Sequence, residues 1–198
     1  MSMPPVTTPV THPSPMLADA TIYAIRHAEK PASGHGLSPA GKARAQAYVK
    51  YFQNLQDPQG KTIHWDYFFA SEDSENSHRP LLTIKPLADA LNQTVDDSYK
   101  NTAYPHLVSH LQQDAKYKSS NIVICWHHGE ILKLAQAMGG SCPTLPSSSN
   151  WPATWPGDVF GWLLKMYYKH DGTLHNQLTQ AINEKLMPDD TADPVYGK

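Results

Sequence analysis

Histidines and arginines recur at three points where short apolar runs of the sequence end. Arg26-His27-Ala28-Glu29-Lys30 follows the run Thr21 to Ile25. Ser71, a polar stretch and then Arg79 follow Tyr67 to Ala70. Trp126-His127-His128-Gly129-Glu130 follows Ile122 to Cys125. A neutral imidazole is a nucleophile, and its ordinary pKa near 6.5 keeps much of it neutral at pH 7. Arginine offers a planar fork of donors that matches phosphate oxygens. A phosphoryl group in transfer spreads negative charge over its equatorial oxygens, so positioning and cationic clamping carry most of the catalysis. Two histidine-bearing and two arginine-bearing segments therefore suit phosphoryl transfer through a histidine.

Each piece also has a plainer reading. An Arg-His pair on its own is most often a surface or capping pair. Arg79 could be an ordinary helix-start arginine, but a cation there opposes the helix dipole unless an anion is nearby. His127 and His128 with Glu130 could be metal ligands. Helical ligands, however, share a face at i and i+4, and adjacent residues point apart, so no metal is expected. Cys125, inside an apolar run, reads as an inert core residue.

The elements that must carry these residues alternate in period. Thr21 to Ile25, Tyr67 to Ala70 and Ile122 to Cys125 read as buried strands, the last as a central parallel one. Thr94-Val95 is a further short strand. Residues 38–54 read as a helix with Ser38 at the N-cap and Pro39 at the first helical position. Residues 79–91 read as a helix bent at Pro86. Tyr104, Leu107, Val108 and Leu111 mark one helical face, and Ile131, Leu134, Ala135 and Met138 another. Val159 to Tyr168 and Thr173 to Leu178, with Asp171-Gly172 between them, read as a β-hairpin. The alternation predicts an α/β fold, a mostly parallel central sheet with helices on both faces. In such sheets the site lies beyond the carboxyl ends of the strands, where the three segments sit. Trp151, Phe160, Trp162 and the hairpin are expected to close one sheet edge beside it.

Composition bounds the rest. The 198 residues are 40% hydrophobic and 17% charged, with ten Tyr and five Trp, which suits one globular domain rather than a disordered chain. A formal net charge of −2 advertises no nucleic-acid surface. No apolar run approaches the roughly 20 residues of a membrane helix, so no membrane partner is expected. Two cysteines are too few for a disulfide scaffold. No secretory signal is evident, and the cytoplasm is the default expectation. Residues 1–17, with prolines at 4, 5, 9, 13 and 15, read as a flexible tail, and 18–198 as a single domain. A proline- and serine-rich loop is expected at 143–157.

Four segments in order resemble the histidine phosphatase (phosphoglycerate mutase-like) superfamily, over about residues 20–138. Ile22-Tyr-Ala-Ile-Arg26-His27-Ala28-Glu29 is similar to its opening strand and Arg-His motif, with Ala28 where the usual form has glycine. Gly36-Leu-Ser-Pro-Ala-Gly41-Lys-Ala-Arg-Ala45 resembles its Leu-Ser/Thr-x-x-Gly helix start. Arg79-x-x-x-Thr83-x-x-Pro86-Leu-Ala88 resembles the segment of the second phosphate-binding arginine, though residues 72–78 lengthen the usual lead-in. Ile122 to Ile131 resembles the strand and turn that deliver the second histidine.

The resemblance implies a three-layer phosphoglycerate mutase-like sandwich and a phosphatase. It would hydrolyse a phosphomonoester or phosphoramidate through a phosphohistidine on His27. Arg26 and Arg79 would bind the phosphate. The second histidine is expected to be His128, from the glycine after it, with His127, favoured by strand length, as the alternate. Glu29, Asp96 and Asp97 are the candidates for a general acid. No cofactor is implied, and the partner would be a phosphorylated small molecule or a phosphoprotein. Two alternatives stand beside this reading: a mutase-like phosphoryl transferase, and a non-catalytic phosphate-binding or scaffold module.

Overall fold

The computed structural model of the chain describes residues 17–140 and 151–195. Most of the expected tail and the stretch 143–150 of the expected loop lie outside the described residues. Strand β1 (Thr21–Arg26) is followed by α1 (Pro39–Asn54), β2 (Tyr67–Ser71), α2 (Arg79–Ala90) and β3 (Val95–Tyr99). Then come α3 (Tyr104–Gln113), β4 (Asn121–Trp126), α4 (His128–Ala137), β5 (Trp162–Tyr167) and β6 (Gln180–Asn183). The six strands form one sheet in the order β3-β2-β4-β1-β5-β6. The first four pair in parallel, and β5 and β6 add an antiparallel margin. The α/β class and the mostly parallel sheet are as expected.

Both faces of the sheet are covered, which is why β1 and β4 are apolar throughout their centres rather than alternating. Tyr48, Phe52, Ile84 and Leu87 of α1 and α2 pack on Tyr23, Ile25, Val123 and Cys125. Leu107, Leu111, Ile131 and Leu134 of α3 and α4 pack on Ile22, Ala24, Ile122 and Ile124. The odd and even residues of each strand thus serve opposite cores. No helix among the described residues is long and apolar enough to cross a membrane.

Local signals account for the helix boundaries. The Ser38 side chain accepts a hydrogen bond from the Gly41 N–H at 3.0 Å, and Pro39 opens α1. Pro86 lies within α2. The hairpin is corrected. Its tip is at Asp171-Gly172, where Gly172 has φ +76° and Tyr168 bridges Leu174. The returning strand, however, is Gln180–Asn183, not residues 173–178. The Thr179 hydroxyl takes the Tyr167 N–H at 3.1 Å, and the regular ladder begins only beyond it.

Candidate active site

The parallel register of β1 on β4 pairs Arg26 with Trp126 at their carboxyl ends. The next residue on each strand is a histidine, and the two rings meet. The His27 and His127 centroids lie 5.0 Å apart, edge to face. The ring against His27 is that of His127, the alternate of the two expected histidines, and not that of His128. His127 leaves the strand in extended conformation as the N-cap of α4, whereas His128 is already the first helical residue. The helical turn carries the exposed His128 ring toward Gly157, where a Cβ would lie 3.9 Å from its Nε2.

His27 is only 3% exposed. Its Nδ1 lies 2.8 Å from the Ala28 carbonyl oxygen. A carbonyl only accepts, so Nδ1 carries the proton and donates, and Nε2 keeps its lone pair. Burial pulls the His27 pKa down to about 3, helped by His127, Arg26 and Arg79 and opposed by the Ala28 bond. His127 is lowered to about 4, first by burial and then by Arg79, His128 and Arg26. Both rings are therefore neutral at pH 7.

Main-chain position is fixed on both sides of His27. Its N–H donates to the Trp126 carbonyl at 2.9 Å. The Ala28 N–H donates to Thr83 Oγ1 at 2.9 Å, and that hydroxyl donates to the Arg79 carbonyl at 2.7 Å. Thr83, fully buried, thus links the residue after His27 to the first turn of α2. Gly41 lets α1 approach the same loop, since a Cβ there would lie 2.4 Å from the Glu29 carbonyl oxygen.

The arginines are held differently. Arg26 is 1% exposed. One of its terminal amino groups donates to Pro156 O (3.2 Å) and Val159 O (2.7 Å), the other to Gly157 O (2.8 Å). Its guanidinium carbon lies 3.9 Å above the centre of the Phe160 ring. Burial draws its pKa down to about 10, against the pull of Glu29 and Asp158. Arg79 sits at the start of α2, half-buried, with longer bonds of 3.1–3.3 Å to Gly36 O, Gly34 O, Asn76 O and Ser77 Oγ. Its charge reaches both His27 and His127.

The three acid candidates are not brought to the histidines. Glu29 Oε1 accepts two bonds from Arg44, at 2.6 and 2.9 Å, and Arg44 also grips both oxygens of Asp190. Glu29 is thereby the end of a buried ion-pair chain that fastens α1 to the C-terminal segment. Asp96 and Asp97 lie inside edge strand β3, Asp96 level with Phe69 and short of the carboxyl ends. Asp96 Oδ1 accepts from the Ser98 N–H and hydroxyl. After burial, the charged and ring neighbours that lower His27 and His127 are Arg26, Arg79 and the adjoining histidines. Among the described residues no group of three or more His, Cys, Asp or Glu is gathered to hold a metal ion.

Sequence reasoning placed Phe160 beside the site but missed the Arg26–carbonyl contacts, because main-chain acceptors leave no trace in residue type. It also missed Arg44 and Thr83 as supports. Thr83 stands one helical turn after Arg79, a spacing that could have indicated back-bonding to the Arg79 carbonyl.

No protein-family profile matches the chain, and no curated protein matches it in sequence. Solved structures do match. A phosphoglycerate mutase from Plasmodium falciparum superimposes with a TM-score of 0.50 at 8% identity, covering 87% of this chain and 96% of its own. A phosphoglycerate mutase from Bacillus anthracis gives 0.49 at 13% identity, over 85% and 95%. A protein from Agrobacterium tumefaciens, named as a phosphohistidine phosphatase SixA, gives 0.47 at 17% identity, over 74% and 90%. The Plasmodium match fixes the fold as phosphoglycerate mutase-like.

Proposed function

We propose that the chain is a histidine phosphatase that transfers a phosphoryl group from substrate to His27 Nε2 and then to water. The observation that carries this reading is the state of His27. It is buried, neutral and tautomerically fixed by Ala28, with the Nε2 lone pair free and His127 and two arginines around it. In the first step the Nε2–P bond forms as the bond from phosphorus to the leaving group breaks. In the second, water attacks phosphorus and its proton leaves with solvent as the Nε2–P bond breaks. Arg79 serves as the mobile arm of the clamp, since its resting bonds to three main-chain carbonyls and the Ser77 hydroxyl are long. Neutral His127 can donate a ring N–H to a phosphoryl oxygen.

The lack of a carboxylate bonded to either ring favours substrates whose leaving group needs little help. A phosphoramidate nitrogen or an aryl oxygen qualifies better than an alkyl alcohol. The test is turnover of a series of aryl phosphates, without added metal, by the parent chain and H27A. Turnover lost in H27A, a base-stable and acid-labile phosphoryl label on His27, and a steep fall in rate with leaving-group basicity are the expected results. Turnover that survives H27A refutes the proposal. Delivery of the label to an added alcohol rather than to water would move the assignment to a phosphoryl transferase.

A further inference from the structure

Arg26 presents an unusual account of its donors. One terminal amino group donates to the carbonyls of Pro156 and Val159 and the other to that of Gly157, so three of the five N–H donors are engaged. Its Nε–H is buried and has no hydrogen-bond partner among the described residues. A buried donor on a cation left without an acceptor is strongly disfavoured. The Nε–H is therefore a donor open to an acceptor, and an anionic oxygen is the one that a guanidinium beside His27 would take.

The segment that orients this donor is the strap 156–160. The Val159 carbonyl accepts not only from Arg26 but also from Trp155 Nε1 at 2.8 Å, and the Val159 N–H returns to Pro156 O at 3.2 Å. Beyond it, the Gly161 carbonyl is tied to the Glu184 N–H at 2.8 Å. Phe160 then lies under the guanidinium, its ring centre 3.9 Å from the guanidinium carbon and 6.4 Å from the His27 ring centre. A guanidinium over an aromatic face is attracted by the ring quadrupole, and it cannot tilt without losing both that contact and the carbonyl bonds.

We propose that Phe160 is a positioning residue for anion binding: with the strap carbonyls it locks the Arg26 plane so that the donors the strap leaves free, the buried Nε–H first, are held for a phosphoryl oxygen. This rests on the reading of the site as a phosphoryl-transfer centre, but it is separable from turnover, because orthovanadate binding reports the clamp directly.

The test is a double-mutant cycle between Phe160 and Arg26, read by orthovanadate affinity and by KM and kcat for an aryl phosphate. F160L keeps the bulk and removes the π face. It should weaken vanadate binding and raise KM by roughly 5- to 30-fold, while F160Y, which keeps the face, stays near the parent. In an R26A background F160L should add little further loss, since the group it orients is gone. Should F160L not fold, F160M takes its place in the same cycle. An F160L chain that binds vanadate like the parent overturns the proposal. So does an F160L loss of equal size with and without Arg26, or an F160Y loss equal to that of F160L. A parent that binds vanadate in a Phe160-dependent way but turns over no substrate would sink the phosphatase and leave this inference standing. A parent that does neither would sink both.

Discussion

Replacing Thr83 by valine would isolate how much of the site rests on one buried hydroxyl. Valine has nearly the same shape, so the change removes the hydroxyl rather than volume. What disappears is the acceptor for the Ala28 N–H, at 2.9 Å, and the donor to the Arg79 carbonyl, at 2.7 Å. The two losses are unequal. The Arg79 carbonyl stands at the start of α2 and retains its helical partner. The Ala28 N–H belongs to a residue with no exposed surface and has nowhere to turn. An orphaned buried donor of this kind costs about 1–3 kcal/mol. With a urea m-value of about 2–3 kcal/mol/M, that is a midpoint lowered by roughly 0.3–1.5 M.

Stability alone does not decide the point, because Thr83→Ser also costs about 1 kcal/mol through its lost methyl. The deciding assay is kinetic. T83V frees the main chain just after His27, and if His27 is the proposed nucleophile its displacement by a fraction of an ångström should lower kcat roughly 10- to 100-fold. T83S keeps the hydroxyl and should keep kcat. Unfolding followed by tryptophan fluorescence, beside single-turnover phosphorylation of His27, measures both quantities. A T83V chain that phosphorylates at the parent rate, or a T83S chain that falls with it, would refute the linking role.

Other perturbations reach different parts of the frame. His27 binds its proton near 3 when folded and near 6.5 when unfolded, so the unfolded chain holds more protons between those values and stability should fall as pH drops from 6.5. Thermal midpoints in H27N should show a flatter acid limb; an unchanged slope would be evidence against a buried neutral His27. Glu184 has the opposite sign: burial pushes its carboxyl up to about 8, and Tyr48 donates to its Oε2 at 2.9 Å. The folded chain keeps this proton while the unfolded chain releases it near 4.5, so stability should decline from pH 4.5 to pH 8, and E184Q should remove much of that decline. Gly161→Ala places a Cβ within 2.4–2.7 Å of the Asp190 carboxylate, which is held by Arg44. It should destabilise the chain by about 1–3 kcal/mol, seen in a denaturant midpoint; a neutral effect would mean the Asp190 segment is free to move.

Much of the frame was legible because its causes are local. Ser38, Pro39 and Gly41 announce α1, and continuous apolar runs announce β1 and β4. The returning strand of the hairpin was misplaced because only its tip, Asp171-Gly172, is a local signal. The pairing of Gln180–Asn183 with Trp162–Lys165 is set by where the Thr179 side chain breaks the ladder. The choice between His127 and His128 was in principle readable from strand lengths. Two parallel strands in register and each ending one residue before a histidine bring those histidines side by side. The glycine after His128 pointed the other way, yet Gly129 lies within the first turn of α4 and has open space at its Cβ.

The fate of Glu29 ties these threads together. In sequence it is two residues from His27, and proximity made it a candidate acid. In the fold it is claimed by Arg44, whose other partner, Asp190, is 146 positions away and unreadable as a neighbour. That ion-pair chain takes a carboxylate away from His27. Arg26, in turn, is held by carbonyls of a strap 130 or more positions distant. Both long-range attachments act in one direction. They leave His27 facing imidazole and guanidinium groups and no bonded carboxylate, which keeps its Nε2 unprotonated and makes the surrounding field attractive to a dianion. A carboxylate bonded to His27 would raise its pKa toward the physiological range and repel the phosphoryl oxygens. Segregating the acids onto Arg44 is therefore as much a condition of the proposed chemistry as the histidines themselves.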